Sequence, residues 1–141
     1  MIELLVTTAI VAMLIGLGLF MSMDFYRHTL VNDERDIVVS LLLKARERAL
    51  VNLRQSEHGV CYDDPNYVLF RGSSYDSGAA TNETVAAGSG VSVDGMDCEG
   101  GSANPVVFEQ LSGDSASTTI TIGQNGSDKV IYINDEGRVD W

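Results

Sequence analysis

The chain begins with the apolar run MIELLVTTAIVAMLIGLGLFMSM, whose only charge is Glu3. About 20 consecutive apolar residues are enough to cross a bilayer as a helix. A carboxylate within such a run costs roughly 2.5–3.5 kcal/mol at mid-membrane and less near an end, so it usually has a partner and a purpose. The run therefore predicts a segment that is covered by lipid or by other protein chains, with Glu3 serving a specific contact.

Two ordinary interpretations of such a run are a signal peptide and a plain membrane anchor. No Lys or Arg precedes the run, and the run exceeds the 7–15 or so apolar residues of a signal peptide, which disfavours that class. A single-span anchor stays open, although an anchor does not require an acid so close to its start.

The stretch after Asp24 predicts a continuing amphipathic helix that ends near Leu53. Its apolar residues recur at the three- and four-residue spacing of one helical face, and no proline interrupts it. A helix of about 52 residues would be roughly 78 Å long, which is more than a small head can bury. We therefore expect its first half to project from the head. The apolar face consists of Leu30, Ile37, Val38, Leu41, Leu42, Ala45, Ala49 and Leu53.

From Gln55 onward the composition changes to Gly, Ser, Thr, Asn and Asp with short β-branched runs, which predicts a β-rich head. Residues 1–54 carry equal numbers of acidic and basic side chains, so the formal net charge of −11 lies on residues 55–141. An acidic head repels phosphates, and we expect it not to bind nucleic acid directly. The predicted strands are 59–62, 67–71, 91–93, 106–110, 118–122, 129–134 and 138–141, with a hairpin turn at Asn125-Gly126 and a polar loop over 73–90.

The start of the chain, IELLVTTAIVA, resembles that of type IV pilins and type II secretion pseudopilins. More loosely, the segments YVLFRGSSY, PVVFEQLSG and IYINDEGRV resemble the head of H-type pseudopilins and minor pilins. The resemblance implies an α+β pilin fold, in which a long N-terminal helix, apolar in its first half and amphipathic in its second, packs on a small antiparallel β-rich globular head. It implies a transmembrane or filament-core helix over 1–24, an amphipathic helix continuing into the head over 25–54, and an extracytoplasmic head over 55–141.

The function implied by the resemblance is that of a structural subunit of a type IV pilus filament, which supports adhesion, motility or DNA uptake. Its partners would be further copies of itself in a helical filament, the membrane before assembly, and the pilus or secretion assembly machinery. It would lie in the inner membrane first and in the extracellular pilus afterwards. The alternatives are a periplasmic pseudopilin or minor tip subunit of a type II secretion system, and a membrane-anchored extracytoplasmic binding domain.

The resemblance also assigns roles to residues of the N-terminal run. In the family the glutamate, which lies two residues deeper in the mature chain than Glu3, pairs with the N-terminal amine of a neighbouring subunit, here that of Met1. Gly16 and Gly18 weaken the helix by about 1 kcal/mol each relative to Ala, and we expect them to give local flexibility or close helix packing. The expected helix core consists of Leu4, Leu5, Val6, Ile10, Val11, Leu14 and Ile15.

The head contains both cysteines, Cys61 and Cys98. An extracytoplasmic head of this size buries a small core and benefits from a disulfide, so we predict a bond between them, with free buried thiols as the alternative. The chain shows no catalytic constellation and no cofactor motif, and we expect neither catalysis nor a cofactor. Asp94, Asp97 and Glu99 offer the oxygen ligands of calcium but not the EF-hand spacing, so a metal site is not favoured.

The assembly role of Glu3 is testable with Glu3→Ala. The substitution removes a charge from an apolar run, so membrane-associated subunit should remain abundant. Filaments should be lost or scarce, because a buried partner left unpaired costs about 3–5 kcal/mol. Electron microscopy of sheared surface material, with immunoblotting of the cell fraction, measures both quantities. A normal filament yield would move the weight to a plain anchor.

Overall fold

One long helix provides the surface on which the head folds. The computed structural model describes residues 2–99, 104–124 and 126–141, without the side chains of residues 17–28. Helix α1 covers Ile2–Leu50 and is followed by a short 3-10 turn at Leu53–Gln55. The N-terminal part of the helix, Ile2–Gly16, is exposed along its whole length, whereas the part from Val31 onward carries buried residues.

In the described ranges, eight strands form two antiparallel sheets. The first sheet has the order β3-β2-β1-β5 and the second the order β4-β6-β7-β8. The long hairpins β1–β2 and β6–β7 are the centres of the two sheets. The strands are β1 (His58–Asp63), β2 (Asn66–Arg71), β3 (Glu83–Ala86), β4 (Ser92–Asp94), β5 (Val106–Phe108), β6 (Thr118–Gln124), β7 (Ser127–Ile133) and β8 (Val139–Asp140).

The buried stripe of α1 packs against both sheets and joins them into a single core. Its residues repeat at spacings of three and four, which places them on one side of the helix. The strands contribute the residues on their helix-facing sides, among them Leu69, Phe108, Ile120 and Ile131. The apolar members of the stripe are Val31, Val38, Val39, Leu41, Leu42, Ala45 and Ala49.

The opposite face of the first sheet is covered as well, by a small cluster around the disulfide. Cys61 and Cys98 are bonded, which confirms the predicted disulfide, and their Cα atoms lie 4.8 Å apart. Val68 and Phe70 of β2 alternate with the helix-facing residues of the same strand and pack beside the two cysteines. The bond closes a sequence separation of 37 residues, which the chain-entropy model values at roughly 3–4 kcal/mol of stability.

The segment 73–90, expected to be a polar loop, contains β3, which forms one edge of the first sheet. The strand was hard to predict because Glu83–Ala86 has only one pair of β-branched residues, and in the structure none of its four residues is fully buried. Strands β6 and β7 pair as a hairpin whose register includes Gln124 with Ser127. Of the expected Asn125-Gly126 turn, Asn125 lies outside the described residues, and Gly126 has a φ of 84°.

The predicted fold class is wrong. That prediction was a pilin fold, in which a long helix with a membrane-spanning apolar half packs on one small antiparallel β-rich head. Within the described part of the chain, no helix is long and apolar enough to cross a membrane. Within the described residues, the head divides its strands between two four-stranded antiparallel sheets.

Adjacent leucines on α1 test the central packing. Leu42 is completely buried and Leu43 is 42% exposed. We expect Leu42→Ala to lower the free energy of unfolding by about 2–5 kcal/mol, because it leaves a cavity between helix and sheets. Leu43→Ala should change it by less than about 1 kcal/mol. Urea denaturation followed by circular dichroism measures both, and equal losses would contradict the described orientation of α1.

Candidate assembly surface

The first turns of α1 expose apolar side chains in every direction around the helix. Leu4 and Leu5 are each 71% exposed, and the stretch Ile2–Gly16 contains no buried residue. A helix that is hydrophobic all round is normally a buried helix. The predicted helix-core residues Leu4, Leu5, Val6, Ile10, Val11, Leu14 and Ile15 all belong to this exposed set, together with Ile2 and Met13.

The two threonine side chains within this stretch are hydrogen-bonded to the helix backbone. The hydroxyl of Thr7 donates to the carbonyl oxygen of Leu4 at 3.1 Å, and that of Thr8 donates to the same carbonyl at 2.9 Å. Because these hydroxyls already have acceptors, they can be covered by an apolar partner at little cost. The stretch therefore presents an almost entirely apolar surface, which we call the apolar stretch (Ile2–Gly16).

One side of the apolar stretch is shallow because its side chains are small. A groove of about 290 Å³ is lined by Thr7, Thr8, Val11, Ala12 and Ile15. Nothing approaches within 4 Å of the position that a Cβ of Gly16 would occupy. Small residues one turn apart allow two helix backbones to come close together. The shape of this side suits a second helix.

Glu3 lies in the first turn of α1 and is exposed. Among the described residues no basic group pairs with it. Its predicted partner is the amine of a neighbouring subunit, so the structure of one chain does not test that prediction. Met1, the predicted source of that partner, lies outside the described residues. Gly18, one of the two predicted flexible positions, lies within the backbone of α1. Gly16 is part of the regular helix.

A buried carboxylate that sequence reasoning missed fastens α1 to the head. Glu34 lies in the buried stripe, 7% exposed. The hydroxyl of Tyr67 donates to Glu34 Oε2 at 3.0 Å, and the backbone N–H of Gly88 donates to Oε1 at 2.7 Å. A Cβ at position 88 would collide with Glu34 Oε1, so only glycine allows this approach. The signal in the sequence was an acid three residues after Val31 and four before Val38, on the apolar side of the helix.

The carboxylate also changes the chemistry of its partner. Burial raises the pKa of Tyr67 far above its ordinary value, and the adjacent Glu34 carboxylate raises it further. The tyrosine hydroxyl therefore stays protonated and keeps donating its hydrogen bond. Glu34, Tyr67 and Gly88 together form what we call the Glu34 clasp, which ties helix, first sheet and the β3–β4 connection at one place.

A second, exposed contact ties α1 to the edge strand β3. Lys44 Nζ lies 2.8 Å from Glu83 Oε2, and Arg48 Nη2 lies 2.6 Å from Glu83 Oε1. The hydrogen bonds from Lys44 and Arg48 lower the pKa of Glu83. Both pairs are open to solvent, so each stabilises the fold by less than about 1 kcal/mol.

The structure does not gather the weak calcium candidates Asp94, Asp97 and Glu99 into a metal site. Over the residues whose positions are described, no group of three or more His, Cys, Asp or Glu side chains could hold a metal ion. Asp94 ends β4, whereas Asp97 forms a parallel bridge with Tyr62 of the first sheet.

No protein-family model, curated protein or solved structure matches the chain.

The Glu34 clasp predicts a specific loss on Tyr67→Phe. Glu34 Oε2 would be left buried without a donor, and we expect the free energy of unfolding to fall by about 1–3 kcal/mol at pH 8. Tyr132→Phe, at a tyrosine that is 58% exposed, is the matched control and should change it by less than about 0.5 kcal/mol.

The same variant carries a pH signature. The pKa of Tyr67 is raised on folding, so its stabilisation is complete below the ordinary tyrosine value of 10.0 and is lost as the pH rises above it. The wild-type chain should therefore lose more stability between pH 8 and pH 11 than Tyr67→Phe does. Urea denaturation at the two pH values decides this, and equal alkaline losses would contradict a buried, donating Tyr67.

Proposed function

We propose that this chain is a structural subunit of a filament of the type IV pilus kind, assembled through the apolar stretch of α1. The observation that carries the proposal is the continuous exposure of large apolar side chains over Ile2–Gly16. Each large apolar side chain gains about 1.5–3 kcal/mol when it is removed from water. A stretch with this composition is covered in the working state of the protein.

Further copies of the same helix are the partner that the surface suits best. The groove beside Thr8 and Ala12 allows close approach of a second helix, and the threonine hydroxyls need no outside acceptor. Glu3 would then be surrounded by apolar side chains of neighbours, where a pairing cation gives it a strong preference for one position. It would fix the register between successive helices.

The acidic head would remain outside such a bundle. The net charge of −11 keeps the exposed surfaces of the heads hydrated. The firm attachment of the head to residues 31–49 of α1 transmits the helical arrangement to the outside. Before assembly, the lipid of an inner membrane would cover the same apolar side chains, and the assembly machinery would move the subunit from lipid into the filament.

Polar substitutions in the apolar stretch test the proposal. Leu5→Ser/Ile10→Ser should raise the protein concentration needed for assembly by at least tenfold, because each change removes about 1.5–3 kcal/mol of burial per subunit. The head should keep its stability, because neither residue contacts it. Sedimentation and electron microscopy of the full chain, after removal of detergent, measure assembly.

The matched control is Leu43→Ser/Leu50→Ser, which exchanges two exposed leucines of the same helix beside the head. We expect it to assemble like the wild-type chain. Unchanged assembly of Leu5→Ser/Ile10→Ser would sink the proposal. Retention of membrane binding by the wild-type chain without any filament would favour an anchored binding domain.

A further inference from the structure

A cavity of about 350 Å³ at the carboxyl end of α1 concentrates positive charge on an acidic protein. Its lining includes Arg48, Arg54, Arg71 and His58. The whole sequence contains nine Lys and Arg residues against 20 acids, so three of the nine converge on this one place. We call it the basic cavity.

Two of its guanidinium groups are available to a ligand. Arg48 is paired with Glu83. Arg54 and Arg71 are exposed, and no acidic side chain in the described parts of the chain pairs with either of them. Two guanidinium groups without acidic partners, close to the ring of Phe70, form a site suited to carboxylates.

The backbone that presents Arg54 adopts a conformation that side chains rarely accept. Asn52, Arg54 and Gln55 have φ values of 55°, 59° and 55°. The segment is held by Gln110 Nε2, which donates to Asn52 Oδ1 at 2.5 Å, and by His58 Nε2, 3.1 Å from the carbonyl oxygen of Leu53. Left-handed conformations at three non-glycine residues persist where the surroundings impose them, and such strain concentrates at functional sites.

A matching acidic feature lies at the other end of the hairpin that carries Arg71. The register of β1 with β2 pairs His58 with Arg71 at one end and Asp63 with Asn66 at the other. At about 3.3–3.4 Å per residue the two ends are roughly 17 Å apart. Asp63 and Asp64 form the exposed turn, which we call the acidic turn.

Each carboxylate of the acidic turn has one oxygen that accepts a hydrogen bond from a tyrosine and one that does not. Asp63 Oδ2 accepts a hydrogen bond from the Tyr75 hydroxyl at 3.2 Å, and Asp64 Oδ1 accepts one from the Tyr62 hydroxyl at 2.9 Å. The second oxygen of each has no partner in the described parts of the chain. Two adjacent carboxylates therefore each have an oxygen available to accept hydrogen bonds from a guanidinium group.

We propose that the basic cavity of one subunit binds the acidic turn of a second copy of this chain. The inference rests on the proposed function and names the contact between heads that it leaves open. Because the two surfaces lie at opposite ends of the β1–β2 hairpin, we infer a head-to-tail contact. Head-to-tail contacts whose rotation does not close add subunits in one direction, and this is the arrangement that a filament requires.

The direction of this contact follows α1. The Glu34 clasp holds Tyr67, the register partner of Tyr62 beside the acidic turn, whereas Arg48 lies at the basic cavity. The helix therefore runs from the acidic end of the head towards the basic end. Contacts between heads and contacts between helices extend along the same axis, so each supports the other.

Charge reversal at the two surfaces tests the inference on the full chain. The cavity-reversed variant is Arg54→Glu/Arg71→Glu, and the turn-reversed variant is Asp63→Lys/Asp64→Lys. Each alone should raise the concentration needed for assembly by about tenfold or more, because like charges meet at every contact. An equimolar mixture should return to within about threefold of the wild-type value, since the two variants can alternate along the chain.

The matched control is Lys129→Glu/Arg138→Glu, which makes the same charge change elsewhere on the head and should assemble like the wild-type chain. A cavity-reversed variant that matches this control, or a mixture that assembles no better than either variant alone, overturns the inference. So does binding of inorganic phosphate in the cavity, measured by calorimetry, that leaves assembly unchanged.

A second arm separates this inference from the proposed function. In the Leu5→Ser/Ile10→Ser background, sedimentation velocity at low ionic strength reports contact between heads alone. The cavity reversal should weaken that association by about tenfold and added salt should weaken it in the parent. Association that is insensitive to the reversal overturns the inference even if filaments form, and sensitivity upholds it even if the wild-type chain forms none.

Discussion

The packing of one side of α1 across both sheets is the contact on which the rest of the structure depends. The two sheets share one core, because the helix-facing residues of β1 and β2 and those of β6 and β7 meet the same stripe. The stripe removes water from both sheets at once, so the relative position of the two sheets follows from the spacing of residues on one helix. The disulfide between Cys61 and Cys98 reinforces only the first sheet, from its far side.

Glu34 is the one charged side chain in that stripe among the residues described, and its partners explain why it is tolerated. A buried carboxylate without donors would cost several kcal/mol. Here it receives one hydrogen bond from Tyr67 and one from the backbone of Gly88, each from a different element. An apolar residue could fill the space but could not select one position of α1 against the sheet. The carboxylate therefore specifies where along its length the helix meets the head.

The two halves of the described helix satisfy opposite requirements. From Val31 onward most of the apolar residues lie on one side and are buried, whereas over Ile2–Gly16 they surround the helix and are exposed. The single chain buries the first set of residues and leaves the second exposed. The basic cavity and the acidic turn repeat this asymmetry in charge, since each presents groups that the same chain cannot bring together.

Local pattern was sufficient for the features that depend on one segment. Three patterns depend only on neighbouring residues: the apolar run, the helical periodicity of Leu41, Leu42, Ala45 and Ala49, and the alternation of Thr118–Ile122. The structure has a helix at the first two and a strand at the third. Cys61 and Cys98 could be paired because the chain has no other cysteine. The exposed apolar residues of Ile2–Gly16 could also be named from the sequence, because they belong to one continuous apolar run.

Tertiary structure decided what depends on residues distant in the chain. Local pattern could not predict that the strands divide into two sheets or that β3 pairs with β2. A sheet edge is defined by its partner and not by its own residues. The same holds for Glu34, which meets Gly88 across 54 residues, and for the convergence of Arg48, Arg54 and Arg71. The sequence by itself determined which segments seek apolar surroundings; folding decided which charges meet, because electrostatic contacts act over a few ångströms in space and leave no period along the chain.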